Sequence, residues 1–217
     1  MASMKIILSL ETEESLEIIP YLGKYIDGIK INHLLWNELD FDVQEGKELF
    51  VDFKLWDTPN TVKTVVESII KKGGTMTTIS TFNNESVFDE LVQYKDDIKL
   101  LAVTYLTSWN SDEQYQICRE MSDFMWRRHL SRVKGFYGVV CSALDIGMLS
   151  GADKSLKRVC PGIALPIERG APSGQVRVTT PKEAKELGAD YIVIGRTVTE
   201  SKDPIGIIKD IRKQLAP

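Results

Sequence analysis

The sequence predicts an α/β protein folded as a (β/α)8 TIM barrel, a single domain over residues 1–217. Three observations predict it. Short apolar runs alternate with amphipathic helical patterns from end to end, the pattern of a parallel sheet with helical crossovers. Eight such units fall within 217 residues with no Pro/Gly/Ser-rich linker or low-complexity segment between them. An open doubly wound sheet is the alternative, but eight units in one compact domain fit a closed barrel better, near the small end of that class. Finally, polar and charged residues gather where the apolar runs end, and in this fold functional groups sit at the C-terminal ends of the strands.

In order, the strand candidates are Lys5–Leu10, Gly28–Ile31, Leu49–Phe53, Thr75–Ser80, Leu100–Tyr105, Phe136–Cys141, Arg158–Cys160 and Tyr191–Ile194. The clearest helix lies between the third and fourth, where Val62, Val65, Val66, Ile69 and Ile70 form one apolar stripe. Gly73-Gly74 stops it. Thr180-Pro181-Lys182-Glu183 reads as an N-cap, a first-turn proline and an acid at the third position, opening a helix that Gly188 closes.

Bulk properties narrow the function classes. A formal net charge of -4 argues against a dedicated nucleic-acid binder, although it leaves room for a local basic pocket for one phosphate. Cys118, Cys141 and Cys160 are too scattered for a disulfide scaffold or a zinc site and read as small core residues. Met1-Ala2-Ser3 leads straight into the first strand, and no apolar run approaches the roughly 20 residues that span a bilayer. The expectation is a soluble, cytoplasmic protein with no membrane partner. His33 and His129 lack metal-ligand spacing, and no dinucleotide or phosphate-loop glycine motif occurs. Trp36, Trp109 and Trp126 read as packing residues, and Arg127-Arg128-His129 with Arg132 as the solvated face of a helix.

The chemistry concentrates in Asp52-Phe53-Lys54-Leu55-Trp56-Asp57, at the end of an apolar strand. A strand side chain repeats its direction every two residues, so Asp52 and Lys54 share a face. Taken alone, such a pair is more often a structural ion pair than an active site. Asp57, in the loop before Pro59, adds a second acid that needs an offsetting cation, and Lys30 at the end of the neighbouring strand supplies one. Near the C-terminus, Ile192-Val193-Ile194-Gly195-Arg196 ends a strand in a glycine and a guanidinium. Glycine admits a phosphate to the backbone amides, and arginine grips its oxygens as a fork. Glu11 and Ser108 are further polar residues at strand ends. The preceding Gly170-Ala171-Pro172-Ser173-Gly174-Gln175 looks like a flexible closing loop.

Asp52 through Thr61 resembles the D-x-K-x-x-D-I-P-N-T signature of the orotidine 5'-phosphate decarboxylase family. Other landmarks follow in family order across nearly the whole chain: Ile7–Glu11, Ile29-Lys30-Ile31, Val103–Ser108, Val140–Ala143, Pro161-Gly162-Ile163, Gly174–Pro181 and Gly188–Arg196. The resemblance implies decarboxylation of orotidine 5'-phosphate to uridine 5'-phosphate, the last step of de novo pyrimidine nucleotide synthesis, without metal, cofactor or covalent intermediate. It implies that Lys54 donates a proton to C6 of the pyrimidine, that Asp52 faces the departing carboxylate, and that Lys30 ties Asp52 to the ribose. Asp57 and Thr61 would cross a homodimer interface to complete the partner's site. Ser108 would read the pyrimidine edge, Gln175 would bridge phosphate and base, and Arg196 with the Gly195 amide would hold the phosphate. The chain departs from the family pattern at Glu11, where the first strand normally ends in Asp and which would hold a ribose hydroxyl. It departs also at Trp56, at Thr58, and at Ser80, where many members carry histidine.

Two rivals accompany this reading. Sugar-phosphate decarboxylases and hexulose-phosphate synthases of the same superfamily share D-x-K-x-x-D but use magnesium, typically through a glutamate where this chain has Lys30, and an ammonium repels a divalent cation. A non-catalytic barrel that binds a phosphate ligand is the other, because fold and motif do not guarantee activity.

Overall fold

The computed structural model describes residues 3–38, 45–118, 128–133, 135–151, 155–165 and 177–216. Eight strands form a closed barrel in chain order, every neighbouring pair is parallel, and the last strand bonds back to the first. They are β1 Lys5–Ser9, β2 Gly28–Ile31, β3 Glu48–Leu55, β4 Met76–Ser80, β5 Lys99–Val103, β6 Gly138–Val140, β7 Lys157–Cys160 and β8 Tyr191–Ile194. The α-helices are α1 Ile19–Leu22, α2 His33–Glu38, α3 Pro59–Lys71, α4 Glu85–Leu91, α5 Ser111–Cys118, α6 Pro181–Glu186, α7 Arg196–Thr199 and α8 Pro204–Leu215. A 3-10 segment, Ala143–Gly151, connects β6 to β7. The (β/α)8 expectation therefore holds. No helix among the described residues is long and apolar enough to cross a membrane.

Strand alternation sorts side chains into two cores. Ile7, Phe50, Met76, Leu101, Val159, Tyr191 and Val193 fill the barrel interior. Their neighbours Ile6, Leu8, Leu49, Val51, Ile192 and Ile194 face outward and pack with Val62, Val66 and Ile69 of α3 and Ile208 and Ile211 of α8. Gly28 and Gly138 have no room for a side chain, because a Cβ there would collide with the carbonyls of Glu48 and Lys157 on the adjoining strands. At the N-terminal end of the barrel, buried Glu48 accepts from Lys5 at 3.3 Å and from the Thr75 hydroxyl at 2.9 Å, and it pairs with Lys99 as well.

The helix boundaries follow their local chemistry. Pro59 opens α3, and Gly73 (φ +82°) closes it in the left-handed conformation. Gly73 N–H donates to Ile70 and Gly74 N–H to Ile69, the paired bonds of a Schellman cap. In α6 the Thr180 hydroxyl accepts from Glu183 N–H at 3.2 Å while the Glu183 carboxylate accepts from Thr180 N–H at 2.8 Å, the reciprocal box expected there. Strand ends differ more from expectation. β6 covers only three residues of the six-residue run, although the flanking Tyr137 and Cys141 N–H groups still donate to Leu100 of β5 and Val159 of β7. β3 runs two residues past its expected end, through Lys54 to Leu55.

Candidate active site

The extension of β3 is where the site is made. Val51 pairs with Thr77 and Leu55 with Ile79, so four steps along β3 oppose two along β4 and the strand bulges at Asp52–Lys54. Phe50 points into the barrel, and two residues on Asp52 does too. Ile29 and Ile31 face outward on β2, which turns Lys30 inward beside it. The Asp52 carboxylate joins the charges: its Oδ2 lies 2.9 Å from Lys54 Nζ and 3.5 Å from Lys30 Nζ.

Lys54 reaches this position at a conformational cost. Its φ of +51° makes it the one non-glycine residue in the left-handed region among the described residues. Thr78 on β4 holds it there. The fully buried Thr78 hydroxyl accepts from the Lys54 N–H at 2.8 Å and donates to Asp52 Oδ1 at 2.8 Å. One hydroxyl thus fixes both the backbone of the lysine and the carboxylate that pairs with it.

Burial pushes the Asp52 carboxyl up, but the Lys30 and Lys54 ammoniums and the hydrogen bonds from Lys54 and Thr78 outweigh it and hold the group below its ordinary value. Asp52 is therefore anionic at neutral pH. It has no proton to give, whereas Lys54, with 41% of its side chain exposed, presents an ammonium to the cavity.

That cavity, about 350 Å³, opens at the C-terminal ends of the strands and is lined by Glu11, Lys30, Asp52, Lys54, Ser108, Gly195 and Arg196, all of them expected site residues. Its size suits a small-molecule ligand. Tyr105, Thr107, Pro161, Gly162 and Ile163 complete an adjoining wall. Gln175 lies outside the described residues. Asp57 and Thr61 stand apart from the cavity. Both are exposed, with the Asp57 carboxylate accepting from Thr58 N–H at 2.6 Å and the Thr61 hydroxyl 3.0 Å from that of Thr58. Within one chain the charged array is thus Lys30–Asp52–Lys54, and the second acid faces outward beside Trp56, which is 72% exposed.

Thr78 escaped the sequence reading. The available signal was alternation, since Met76, Thr78 and Ser80 share one face of β4 and Met76 is in the inner core. Threonine is also an ordinary strand former, so its hydroxyl gave no warning. The basic cluster needs correction. Arg128 is exposed as expected, and Arg127 lies outside the described residues, but His129 and Arg132 turn inward. His129 Nδ1 is 3.1 Å from the Thr81 carbonyl, and Arg132 donates to the Asn83 carbonyl at 2.8 Å. Those carbonyls, in the loop after β4, need donors that the sheet does not supply. Cys141 and Cys160 are buried, as expected, and Trp36 packs edge-on against Phe53 with ring centroids 5.9 Å apart. Among the described residues no group of three or more His, Cys, Asp or Glu could hold a metal ion.

Closed barrel and cavity together define a (β/α)8 protein with its site at the C-terminal mouth. More narrowly, the chain belongs to the orotidine 5'-phosphate decarboxylase / HUMPS family, whose profile matches residues 4–211. It is 34% identical to an orotidine 5'-phosphate decarboxylase of Aquifex aeolicus over 230 residues, which cover 99% of this chain and 99% of the relative. A relative of the same name from Dictyoglomus turgidum is 34% identical over 227 residues, covering 94% of this chain and 91% of that protein. The crystal structure of orotidine 5'-phosphate decarboxylase from Lactobacillus acidophilus superposes with a TM-score of 0.77 at 28% identity, covering 99% of this chain and 100% of that one. The Pyrococcus horikoshii enzyme, at 23% identity and a TM-score of 0.75, shares the fold.

Proposed function

We propose that this chain, as one barrel domain over residues 1–217, converts orotidine 5'-phosphate to uridine 5'-phosphate as a cytoplasmic homodimer with shared active sites. The observation that carries the reading is the Lys30–Asp52–Lys54 line on the cavity wall. Decarboxylation at C6 breaks the bond to the carboxylate carbon, leaves the electron pair on C6 and releases carbon dioxide. A proton must then reach C6. Lys54 Nζ is the group suited to deliver it, and solvent at the open mouth of the cavity restores the ammonium afterwards.

The same line explains the driving force. Asp52 is kept anionic by its cations, so a substrate carboxylate seated beside it is repelled in the ground state and relieved on leaving. Lys30 and Lys54 then face the negative charge that develops on the ring. Gly195 and Arg196, on the cavity wall at the end of β8, would take the phosphate, and Ser108 the pyrimidine edge. Binding energy from the phosphate, remote from the reacting carbon, is then available to position the base. Asp57 and Thr61, exposed and outside their own cavity, would serve the partner's site. Glu11 on the rim would meet the ribose, and Gln175 would bridge phosphate and base.

Lys30 also weighs against the magnesium-dependent sugar-phosphate chemistry of the sister group, because its ammonium stands 3.5 Å from Asp52 where a metal-binding site calls for a carboxylate. The test is the loss of orotidine 5'-phosphate absorbance on adding protein, with and without EDTA. Turnover unaffected by the chelator is expected. Binding of uridine 5'-phosphate without any turnover would defeat the enzyme reading, and activity abolished by EDTA and restored by magnesium would favour the sister chemistry.

A further inference from the structure

Asn83 is almost fully buried at 2% exposure, and its side-chain amide spans two strand-end loops. Its Oδ1 accepts from the Asp57 N–H at 3.1 Å. Its Nδ2 donates to the Leu55 carbonyl at 2.9 Å and to the Ser80 carbonyl at 2.9 Å. One amide therefore clasps the chain on both sides of Trp56, the stretch that turns Asp57 outward.

The clasp is itself braced. Arg132 donates to the Asn83 carbonyl at 2.8 Å and to the Thr81 carbonyl at 3.4 Å, and His129 Nδ1 lies 3.1 Å from the latter. The Phe82 ring packs against His129 at a tilt, with centroids 4.9 Å apart, and the Arg132 guanidinium lies over Phe88 at 5.2 Å. Asn83 does not line the cavity that holds Lys30, Asp52 and Lys54. Its three side-chain bonds lead to the β3 and β4 exits instead.

We infer that Asn83 is a positioning residue for Asp57, setting where that carboxylate enters the neighbouring subunit's active site rather than acting on its own. The inference rests on the proposed shared-site homodimer. Strand β4 and its loop then serve two sites at once, since Thr78 orders the array inside the subunit and Asn83 orders the acid that leaves it. Asn83→Ala removes all three bonds and frees the Leu55–Asp57 segment to shift. A misplacement of about 1 Å in a charged array costs on the order of 100-fold in rate, so a loss of about 10- to 100-fold is expected, in kcat more than in KM.

Subunit mixing separates this role from a general loss of structure. Lys54→Ala and Asn83→Ala chains are co-expressed with different tags and the mixed dimers assayed. In a mixed dimer, the site built on the intact Lys54 receives Asp57 from the chain whose Asn83 is intact. Activity should therefore rise well above either parent, to about a quarter of the wild-type rate for unpurified random dimers, because half are mixed and each holds one intact site. Lys54→Ala mixed with Asp57→Ala is the control. If the control recovers activity and the Asn83→Ala mixture does not, Asn83 acts on its own subunit and the inference is overturned alone. If neither recovers, the shared-site reading falls and takes the inference with it. Wild-type activity in Asn83→Ala by itself also overturns it. Should that variant fail to give a folded dimer, Asn83→Ser enters the same mixing with the same criteria.

Discussion

Replacing Thr78 by valine keeps the shape of the side chain and removes its hydroxyl, so it isolates the two bonds that order the array. The bond to Asp52 Oδ1, at 2.8 Å, has an ionised acceptor and is worth about 1.5–3 kcal/mol. The bond from the Lys54 N–H, also 2.8 Å, leaves a donor unsatisfied when lost, at about 1–3 kcal/mol. Lys54 borders the open cavity, and water there can replace part of both, so the lower half of the combined range applies: a loss of about 2.5–4 kcal/mol. Against a typical total of about 5–15 kcal/mol that is a large shift, visible as a lower urea midpoint at unchanged slope. Turnover should fall as well, by about 100-fold, because both the lysine backbone and its counter-ion lose their anchor. Thr78→Ser retains the hydroxyl and should recover most of both properties. A Thr78→Val protein with wild-type kcat and midpoint would refute the claim that this hydroxyl organises the site.

The remaining expectations concern the charged residues. Lys54→Ala should abolish turnover while Arg196→Ala chiefly raises KM, and equal small effects in steady-state assays would contradict the assigned roles. Lys54→Gly should be inactive yet more stable than Lys54→Ala by about 1 kcal/mol in chemical denaturation, since glycine tolerates the φ of +51° that alanine does not. Equal stabilities would show that the backbone there is not strained. Asp52 titrates below its unfolded value of about 3.9, so its stabilising contribution is complete above that pH and is lost as pH falls through the lower folded value. The difference in urea midpoint between wild type and Asp52→Asn should accordingly stay level from about pH 7 to 5 and shrink only below about pH 4. A difference that shrinks between pH 7 and 5 would mean that the lysines do not hold the carboxyl down.

Much of the architecture was legible because it depends on local pattern. The alternation of apolar runs with helical patterns identified eight strands, and it placed Lys30 and Asp52 at the ends of neighbouring ones. Caps at Gly73 and Thr180 were readable because they need one residue type at one conformation. Alternation alone did not reveal the bulge at Asp52–Lys54. A bulge is a mismatch between two strands, and only the partner strand β4 defines it. The basic residues after α5 misled for a related reason. His129 and Arg132 look solvated in a charged run, and the carbonyls they satisfy lie about fifty residues earlier in the chain.

By itself the sequence determined the barrel, its strand order and the identities of the charged groups at its mouth, because period, propensity and charge are properties of neighbouring residues. Only the tertiary structure decided how those charges are shared. It brought Lys30 and Lys54 onto one oxygen of Asp52, set Thr78 beneath both, and turned Asp57 out of the cavity under the grip of Asn83. These arrangements depend on the register between β3 and β4, which is set by packing around the whole closed sheet and is written in no single stretch of chain.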